Sequence, residues 1–453
     1  MTNSDRAMND ALPESVAYVV VGAGVHGLST AWHLAMERAA RGQGSGAEVI
    51  VLDKSGPGAG ATGIACGCVR GFYMTEPLHA LMRHSVDVWN SDPITLGFQQ
   101  VGYVSCGEAN QIAEYERIHE SQNSVGYTSD LYVGRDARRH LTEIWPDFKH
   151  HSIDVVLHER LSGYAGTAQS VQGLTQMCLR HGVRIFSGVE VRGYDVTNGR
   201  LTAVVTDSGP VRCEAAVLGL GPWTPRHWRM LGLPMSIDVG YRDGSRVAGK
   251  DMWTYWRLEE GEVYYDSPYL GADGRNPPVL HIELMTTPVG DPETGAALKD
   301  SVYVYWKNGS ERMDRPGIQG GAMPVMLGSE AAVEPYGHAN ETYQPGPEFA
   351  AYITACMEMF LERFKGVRAG FRRRNAGGIG AFTPDNVPIL DWVLDNLYLI
   401  ADSGHGYKMT GIGKLVARHL ASGADVAELA PFALARFAEG RAFGSGTTHS
   451  PWV

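Results

Sequence analysis

The sequence has few cysteines, no long apolar run and no excess of basic charge. Its six cysteines in 453 residues are too sparse for a disulfide framework and predict a reduced, cytoplasmic protein. No apolar run reaches the roughly 18 residues that a membrane span requires. The net charge of −11 argues against a broad nucleic-acid-binding surface. Neither a CxxC pair nor an HExxH motif is present, so we predict no metal site.

The start of the chain lacks the features of a secretory signal. Residues 1–14 contain no basic segment, apolar segment and cleavage site in that order, and we interpret them as a polar tail. The remaining length is enough for two domains around a large buried core. The composition, 44% hydrophobic and 20% charged, is that of an ordinary globular protein.

A strand, a glycine turn and a helix are predicted in residues 17–39, AYVVVGAGVHGLSTAWHLAMERA. Gly22, Gly24 and Gly27 form a GxGxxG pattern directly after an apolar run. The first glycine permits a tight turn, the second a close approach of the backbone to a pyrophosphate, and the third close packing of helix on strand. The helix N-terminus would stabilise the phosphate charge, so the motif predicts a dinucleotide site.

The next predicted strand, EVIVLDKS, ends in an acid that could hydrogen-bond ribose hydroxyls. This acid, Asp53, lies 26 residues after Gly27, which we attribute to a longer helix and a flexible loop. A loop rich in glycine and alanine follows, SGPGAGATGIACGCVRGFY. Such a loop suits a backbone that wraps a large flat cofactor, whereas nicotinamide-binding domains usually continue with another strand and helix.

The most specific stretch lies near the C-terminus, FTPDNVPILD followed by NLYLIADSGHGYKMTGIGKLVARHLASG. Together with the two N-terminal stretches it resembles the D-amino-acid oxidase and sarcosine oxidase superfamily of FAD enzymes, and within it the sarcosine oxidase and N-methyl amino acid oxidase branch. The resemblance implies an α/β fold with a Rossmann-like FAD-binding domain and a second domain built on an antiparallel β-sheet. It implies that the FAD-binding domain is discontinuous, with pieces 15–98, 155–235 and 365–440, a substrate domain of 99–154 and 236–364, and a C-terminal tail of 441–453.

The same resemblance implies which residues contact FAD. They come from the two glycine-rich turns, the acid-ending strand and its loop, a strand that would hold the adenine end, and the C-terminal turn. They are Gly22, Gly24, Val25, His26, Gly27, Asp53, Lys54, Ala61, Thr62, Cys66, Gly67, Val191, Gly221, Trp223, Gly404, Gly406, Tyr407 and Lys408.

Five residues are candidates for the chemistry. The resemblance implies that Lys408 and Arg70 bind a substrate carboxylate, that His405 and Tyr265 lie in the pocket, and that Lys307 promotes the reaction of reduced flavin with oxygen. Each has a plainer alternative. The two lysines could be solvated, the arginine could serve flavin or backbone oxygens, the histidine could bond its own turn, and the tyrosine could belong to the core.

We expect FAD to be bound without a covalent link. The cysteine used for attachment in sarcosine oxidase would precede the TPD of residues 383–385, where none occurs. The histidine used by dimethylglycine dehydrogenase would fall near Ile64. Cys66 and Cys68 lie in the same neighbourhood and remain the alternative attachment points.

The predicted activity is oxidation of a C–N bond in a secondary or tertiary amine that carries a carboxylate. Hydride transfer to flavin would give an imine, and reoxidation by O2 would give H2O2. Three alternatives remain open: a dehydrogenase with a protein or quinone acceptor, oxidation of a 2-hydroxy acid, and a flavin-binding subunit of a larger complex. The sequence does not determine the oligomeric state.

Overall fold

The computed structural model describes residues 11–149, 151–309, 316–372 and 378–444. The two predicted tails lie mostly outside these ranges. The description of the first begins at residue 11, and that of the second ends at residue 444.

The first of two large sheets has eight strands and a parallel centre. Its central strands are runs of valine, isoleucine and leucine that are buried on both faces, as parallel strands covered by helices require. An antiparallel meander and a C-terminal hairpin extend the sheet. From one edge the main path is Val191–Thr197, Arg200–Thr206, Gly209–Leu218, Ser15–Val21, Val49–Asp53 and Arg184–Ser187, with Leu397–Ala401 and Ile389–Leu394 added beside Gly209–Leu218.

The helix that follows the first strand is enclosed by other elements. Val25–Ala40 packs against helices Gly411–Ser422 and Thr167–Arg180. The contact with Gly411–Ser422 is close, since a Cβ at Gly413 would lie 2.6 Å from the backbone nitrogen of Thr30. This packing brings the N-terminal and C-terminal glycine turns to the same side of the molecule.

The second large sheet has nine strands and is antiparallel except for one parallel pair, Tyr103–Gly107 with Val279–Leu284. Helix Pro347–Phe360 covers one face with buried phenylalanine, isoleucine and methionine side chains. From one edge the path is Phe371–Arg372, Thr254–Tyr264, Gly317–Gly328, Val302–Asn308, Val279–Leu284, Tyr103–Gly107, Val155–Glu159 and Ser129–Val133, with Ile379–Phe382 also paired to Thr254–Tyr264.

The remaining elements connect these sheets. Smaller sheets are formed by Ser236–Gly240 with Arg246–Asp251, by Val289–Gly290 with Ala297–Lys299, and by Cys68–Val69, Gly163–Ala165 and Phe98–Gln99. The other helices are Ala61–Ile64, Pro77–Ser91, Pro93–Leu96, Ile112–Ser124, Arg135–Ile144 and Thr224–Met230. Over the described ranges, no helix combines the length and the apolar character needed to cross a membrane.

The fold class is confirmed: a Rossmann-like parallel sheet with helices is combined with a second, antiparallel sheet. Strand Val155–Glu159 pairs within the second sheet, although the predicted boundary put residue 155 in the FAD-binding domain. Strands Phe371–Arg372 and Ile379–Phe382 also pair there, because both extend the edge of Thr254–Tyr264. The domain bounds themselves stay a prediction.

Candidate active site

A cavity of ≈ 440 Å³ lies where the two sheets meet. The first sheet contributes the carboxyl ends of its parallel strands, which is where open α/β sheets bind ligands. The second sheet contributes residues from five of its strands, including Tyr103, Glu260, Tyr303 and Tyr305. The cavity is therefore walled by backbone on one side and by aromatic and acidic side chains on the other.

The N-terminal glycine turn has no room for side chains. Gly22 has φ +105°, and a Cβ there would lie 2.3 Å from the Gly219 carbonyl oxygen. A Cβ at Gly27 would lie 1.8 Å from the carbonyl oxygen of Gly22. Gly24 lines the cavity and is the N-cap of helix Val25–Ala40, without a side-chain cap. The turn can therefore present backbone N–H groups and a helix N-terminus to an anion.

Asp53, at the end of the second parallel strand, organises this turn. Its carboxylate accepts hydrogen bonds from the backbone nitrogens of Ala23 at 2.8 Å, Ser55 at 2.8 Å and Gly56 at 2.7 Å. Asp53 also lines the cavity. It thus joins the first glycine turn to the loop after the second strand, in addition to its predicted contact with ribose.

The C-terminal glycine turn closes the other end of the cavity. Gly404 has φ +74°, and a Cβ there would lie 2.5 Å from the Phe382 ring. Tyr407 stacks on Trp89 at 5.6 Å and donates its hydroxyl to the Thr62 carbonyl oxygen at 2.9 Å. The turn is therefore fixed to the segment that follows the second parallel strand.

A buried histidine and carboxylate join the two glycine turns. The Nε2 atom of His26 lies 2.9 Å from the Oδ2 atom of Asp402. Burial acts to raise the pKa of Asp402, but the hydrogen bond and charge of His26 outweigh it and lower that pKa. The sequence analysis placed His26 at the cofactor, but it did not identify Asp402 as its partner.

Two cations line the same cavity. Arg70 is buried, with its guanidinium over the Tyr73 ring at 4.6 Å. Burial and then repulsion from Arg70 lower the pKa of Lys408 to about 7, while Cys68, Glu260 and Asp402 oppose that shift. Two neighbouring buried cations create a positive potential that an anion would relieve.

Three of the five predicted catalytic residues do not line the cavity. His405 is buried beneath the turn, where its Nδ1 atom bonds the Asp402 carbonyl oxygen at 2.7 Å, and burial lowers its pKa to about 3. Tyr265 packs against Phe364 at 5.2 Å, on the helix-covered side of the second sheet. His405 is therefore neutral at physiological pH, and Tyr265 is outside the pocket in which we predicted it.

Lys307, the third predicted catalytic residue that does not line the cavity, lies beside it. It is fully buried, with its Nζ atom 4.2 Å from the Tyr164 ring centre and 3.1 Å from the Asn308 carbonyl oxygen. Burial raises the pKa of the cavity-lining Cys68 to about 12, and the charge of Lys307 opposes this shift. Lys307 is thus a buried cation one side chain away from the cavity, not an exposed residue at a strand end.

The predicted cofactor residues converge on the cavity. All of them line it except Gly27, which lies behind the turn where helix meets strand. Two glycine cradles, a helix N-terminus and the backbone around Val191 suit a long dinucleotide, and the cations near the C-terminal turn suit the electron-rich edge of a flavin. The residues present therefore fit FAD.

The sequence analysis missed several lining residues. Tyr303 and Tyr305 lie two apart on one strand and line the cavity together with Glu260, which lies two strands away in the same sheet. Their alternation in SVYVYWKNG was a visible signal of a common face. Glu334 was less accessible to prediction, since it reaches the cavity from a long loop and pairs with Lys54.

Comparison with known proteins finds relatives that align with about half of this chain. It is 22% identical over 247 residues to the mitochondrial pyruvate dehydrogenase phosphatase regulatory subunit of Mus musculus, covering 52% of this chain and 26% of the relative. It is 24% identical over 226 residues to a formaldehyde-forming 4-methylaminobutanoate oxidase of Paenarthrobacter nicotinovorans, covering 48% of this chain and 26% of the relative. It is 25% identical over 225 residues to the sarcosine oxidase beta subunit of Rhizobium meliloti, covering 49% of this chain and 53% of the relative. The chain thus spans about a quarter to a half of the length of these relatives.

The fold has a close counterpart among solved structures. L-proline dehydrogenase from P. horikoshii superposes with a TM-score of 0.72 over 95% of this chain and 100% of that chain, at 20% identity. At this identity the likeness establishes the fold only. The model of the family described as FAD dependent oxidoreductase matches residues 17–260, which include the N-terminal glycine turn, Asp53 and Arg70. With more than half of its length matched by that model, this chain belongs to the FAD dependent oxidoreductase family.

Proposed function

We propose that the protein oxidises the C–N bond of a secondary or tertiary amine that carries a carboxylate, of the N-methyl or cyclic amino acid type. The observation that carries this proposal is the placement of Arg70 and Lys408 at one cavity whose other residues fit FAD. The printed names of two relatives, a methylaminobutanoate oxidase and a sarcosine oxidase subunit, are consistent with it.

The two cations would bind the substrate carboxylate. The guanidinium of Arg70 offers a planar fork that matches a carboxylate, and Lys408 offers a point charge. A carboxylate between them would relieve the repulsion that lowers the pKa of Lys408. Because both side chains belong to fixed segments, they would hold the carbon next to nitrogen in one orientation.

The aromatic residues would exclude water from the reacting carbon. Tyr103, Tyr303 and Tyr305 line the cavity from the second sheet, and all three are largely buried. FAD, when bound, would accept a hydride from the substrate and pass its electrons to O2, giving H2O2. The imine formed would leave the cavity and hydrolyse to an amine and an aldehyde or ketone.

Lys307 would serve the reaction with oxygen. Its charge is buried one side chain away from the cavity, where a fixed cation would stabilise a developing oxygen anion. We keep non-covalent binding of FAD and a cytoplasmic location as parts of the proposal. The structure joins none of the six cysteines in a disulfide, which suits a reducing compartment.

The test begins with an absorbance spectrum of the purified protein, followed by acid denaturation and filtration. FAD in the filtrate is expected. Colour retained by the protein would contradict non-covalent binding and direct attention to Cys66 and Cys68. A colourless protein that takes up no added FAD would overturn the proposal.

The second step is anaerobic bleaching with N-methyl and cyclic amino acids, each paired with an isostere in which nitrogen is replaced by CH2. Bleaching by an amine and not by its isostere is expected. Rapid restoration of colour by air would identify an oxidase, and restoration by a quinone alone a dehydrogenase. Bleaching by a 2-hydroxy acid alone would overturn the amine assignment.

A flavin-binding subunit without its own turnover is the second candidate. The name of the mouse relative, a regulatory subunit, favours it. FAD uptake without bleaching by any amine, together with stable co-purification of other chains from the native source, would support this candidate over the first.

A further inference from the structure

Glu260 differs from the other acids that line the cavity. Four of the six such acids are paired with a basic side chain: Glu190 with Arg192 and Arg226, Glu259 with Arg257, Glu334 with Lys54, and Asp402 with His26. Asp53 accepts three backbone N–H groups. Within the described ranges, Glu260 accepts hydrogen bonds only from neutral groups of Cys66 and Tyr305 and forms no ion pair. Its carboxylate keeps lone pairs for a ligand.

The position of Glu260 is fixed by contacts from both sides of the cavity. Its Oε2 atom accepts the backbone N–H of Cys66 at 3.1 Å, and its Oε1 atom accepts the Tyr305 hydroxyl at 2.5 Å. Glu260 and Tyr305 lie on strands that are separated by a third strand, where Gly321 is paired with both. A Cβ at Gly321 would lie 2.7 Å from the Tyr305 hydroxyl oxygen. The glycine therefore leaves the space through which the tyrosine reaches Glu260.

The surroundings of Glu260 are suited to a carboxylate that exchanges a proton. Burial raises its pKa, while the donors Tyr305 and Cys66 and the charge of Lys408 lower it. The titratable groups that face it are Lys408 of the C-terminal turn, Cys66 and Cys68 of the glycine-rich loop, Tyr305 two strands away in the same sheet, and Tyr336 of the loop that carries Glu334. Glu260 thus adds an anionic site to a cavity that also has cations.

Amine oxidation needs such a group. A carboxylated amine is a zwitterion near neutral pH, and its protonated nitrogen has no lone pair to assist hydride loss from the adjacent carbon. The ammonium must lose one proton inside the cavity, where bulk water is excluded. A carboxylate in hydrogen-bond reach of the nitrogen can both orient it and accept that proton.

We propose that Glu260 binds the amine end of the substrate and accepts its proton before oxidation, while Arg70 and Lys408 bind the carboxylate. This inference rests on the function proposed above. In the step, one N–H bond of the ammonium breaks, one O–H bond forms on the Glu260 carboxylate, and the nitrogen regains its lone pair. The substrate class is thereby narrowed to zwitterions that carry at least one transferable N–H proton when bound.

The first test compares E260Q with wild type in anaerobic bleaching by an amine that bleaches the wild-type protein. The second-order rate constant of bleaching is measured from pH 6 to pH 10. In E260Q only the neutral amine can react, so its rate is expected to rise about tenfold per pH unit and to approach wild type only near the pKa of the amine. At pH 7 a loss of about 100-fold or more is expected.

The matched control is E283Q. Glu283 is a half-buried acid of the same sheet whose pKa is raised to about 7 by desolvation, and it does not line the cavity. Wild-type rates and pH profile are expected for E283Q. An E260Q profile that also parallels wild type within about threefold would overturn the proposal. The proposal would also be overturned if the bleaching rate rose tenfold per pH unit in K408M and not in E260Q. The amine proton would then be accepted by Lys408.

The second test measures binding without turnover of substrate. Isothermal titration is carried out anaerobically with the bound FAD already reduced by dithionite, so that no amine can be oxidised. It compares proline with cyclopentanecarboxylate, and sarcosine with butanoate, pairs that differ by nitrogen in place of CH2. Wild type is expected to prefer the amine of a pair by more than about tenfold, and E260Q by less than about threefold. Equal preference in the two proteins would overturn the proposal.

Y305F keeps the test interpretable if E260Q folds poorly. Loss of the hydroxyl removes a donor to the ionised carboxylate, so the pKa of Glu260 should rise and the acidic limb of the wild-type profile should move to higher pH. An acidic limb that does not move would contradict the proposal.

If no amine bleaches the wild-type protein, the proposed function has failed. If wild type is bleached and these variants behave like it, only the present inference has failed.

Discussion

The two large sheets contribute to the cavity in different ways. The eight-stranded sheet offers mainly backbone, at glycine turns where a side chain would collide with a carbonyl group 1.8–2.3 Å away. The nine-stranded sheet offers side chains brought together across strands, such as Tyr305 and Glu260. The proposed cofactor side therefore depends on short stretches of sequence, whereas the proposed substrate side depends on strand register.

The largest effect is expected from a side chain in the backbone-lined half. G27A places a Cβ 1.8 Å from the Gly22 carbonyl oxygen, so helix and turn must separate. We expect FAD affinity to fall at least about 100-fold, or about 3 kcal/mol, measured as FAD content and Kd after reconstitution. The control is G346A, where an added Cβ meets nothing within 4 Å. Normal FAD content in G27A would show that the turn is not the cofactor site.

The next effect belongs to the side-chain-lined half. K408M should weaken binding of a carboxylated amine about 10- to 100-fold and leave FAD bound, because a charged hydrogen bond contributes about 1.5–3 kcal/mol. Substrate Kd from anaerobic titration and FAD content from the spectrum measure the two separately. R70K retains the charge but loses the planar fork, so we expect its substrate affinity to lie between those of wild type and K408M. Unchanged substrate Kd would remove Lys408 from the substrate site.

Substitution of Lys307 should affect the two half-reactions, reduction of FAD by the amine and its reoxidation by O2, to different extents. K307M is expected to slow reoxidation by O2 at least about tenfold while changing anaerobic reduction little, because the buried charge would act on oxygen and not on the amine. Stopped-flow traces of both half-reactions in one preparation supply the internal control. Equal slowing of both half-reactions would indicate that Lys307 has only a structural role.

The depressed pKa of Lys408 gives the cavity a pH dependence. Lysine is charged below its folded pKa of about 7, so affinity for a simple carboxylate such as butanoate should fall as pH rises through 7. The native protein binds fewer protons than the unfolded chain between about 7 and the ordinary lysine value, so stability should rise with pH in that window. K408M should flatten both dependences in titration calorimetry and thermal unfolding. Flat wild-type profiles would contradict the assigned pKa.

The smallest effect is expected where the long loop meets the first sheet. Glu334 pairs with Lys54 and accepts the Trp223 indole N–H at 2.9 Å, but its side chain is 52% exposed. E334Q should change stability by less than about 1 kcal/mol and FAD affinity by less than about threefold, because exposed ion pairs contribute little. Thermal unfolding and FAD titration measure both. A larger change would indicate that the loop holds the cofactor.

Local motifs accounted for most of the cofactor half of the site. The GxGxxG turn, Asp53 and the SGHGYK turn were recognisable because each performs its role within a few neighbouring residues. Tyr265 shows the limit on the other half. It follows directly after strand Thr254–Tyr264, and its ring packs against Phe364 on the helix-covered side of the sheet, away from the cavity.

The sequence by itself determined the α/β fold, the FAD-binding motif and the family, since glycine spacing and apolar runs are local and impose their own geometry. Only the tertiary structure decided the partners of the largely buried acids: His26 for Asp402, and Tyr305 and Cys66 for Glu260. These pairs are far apart in the chain. They form because desolvation makes a buried polar group costly until packing brings it a partner, and no local pattern encodes that distance.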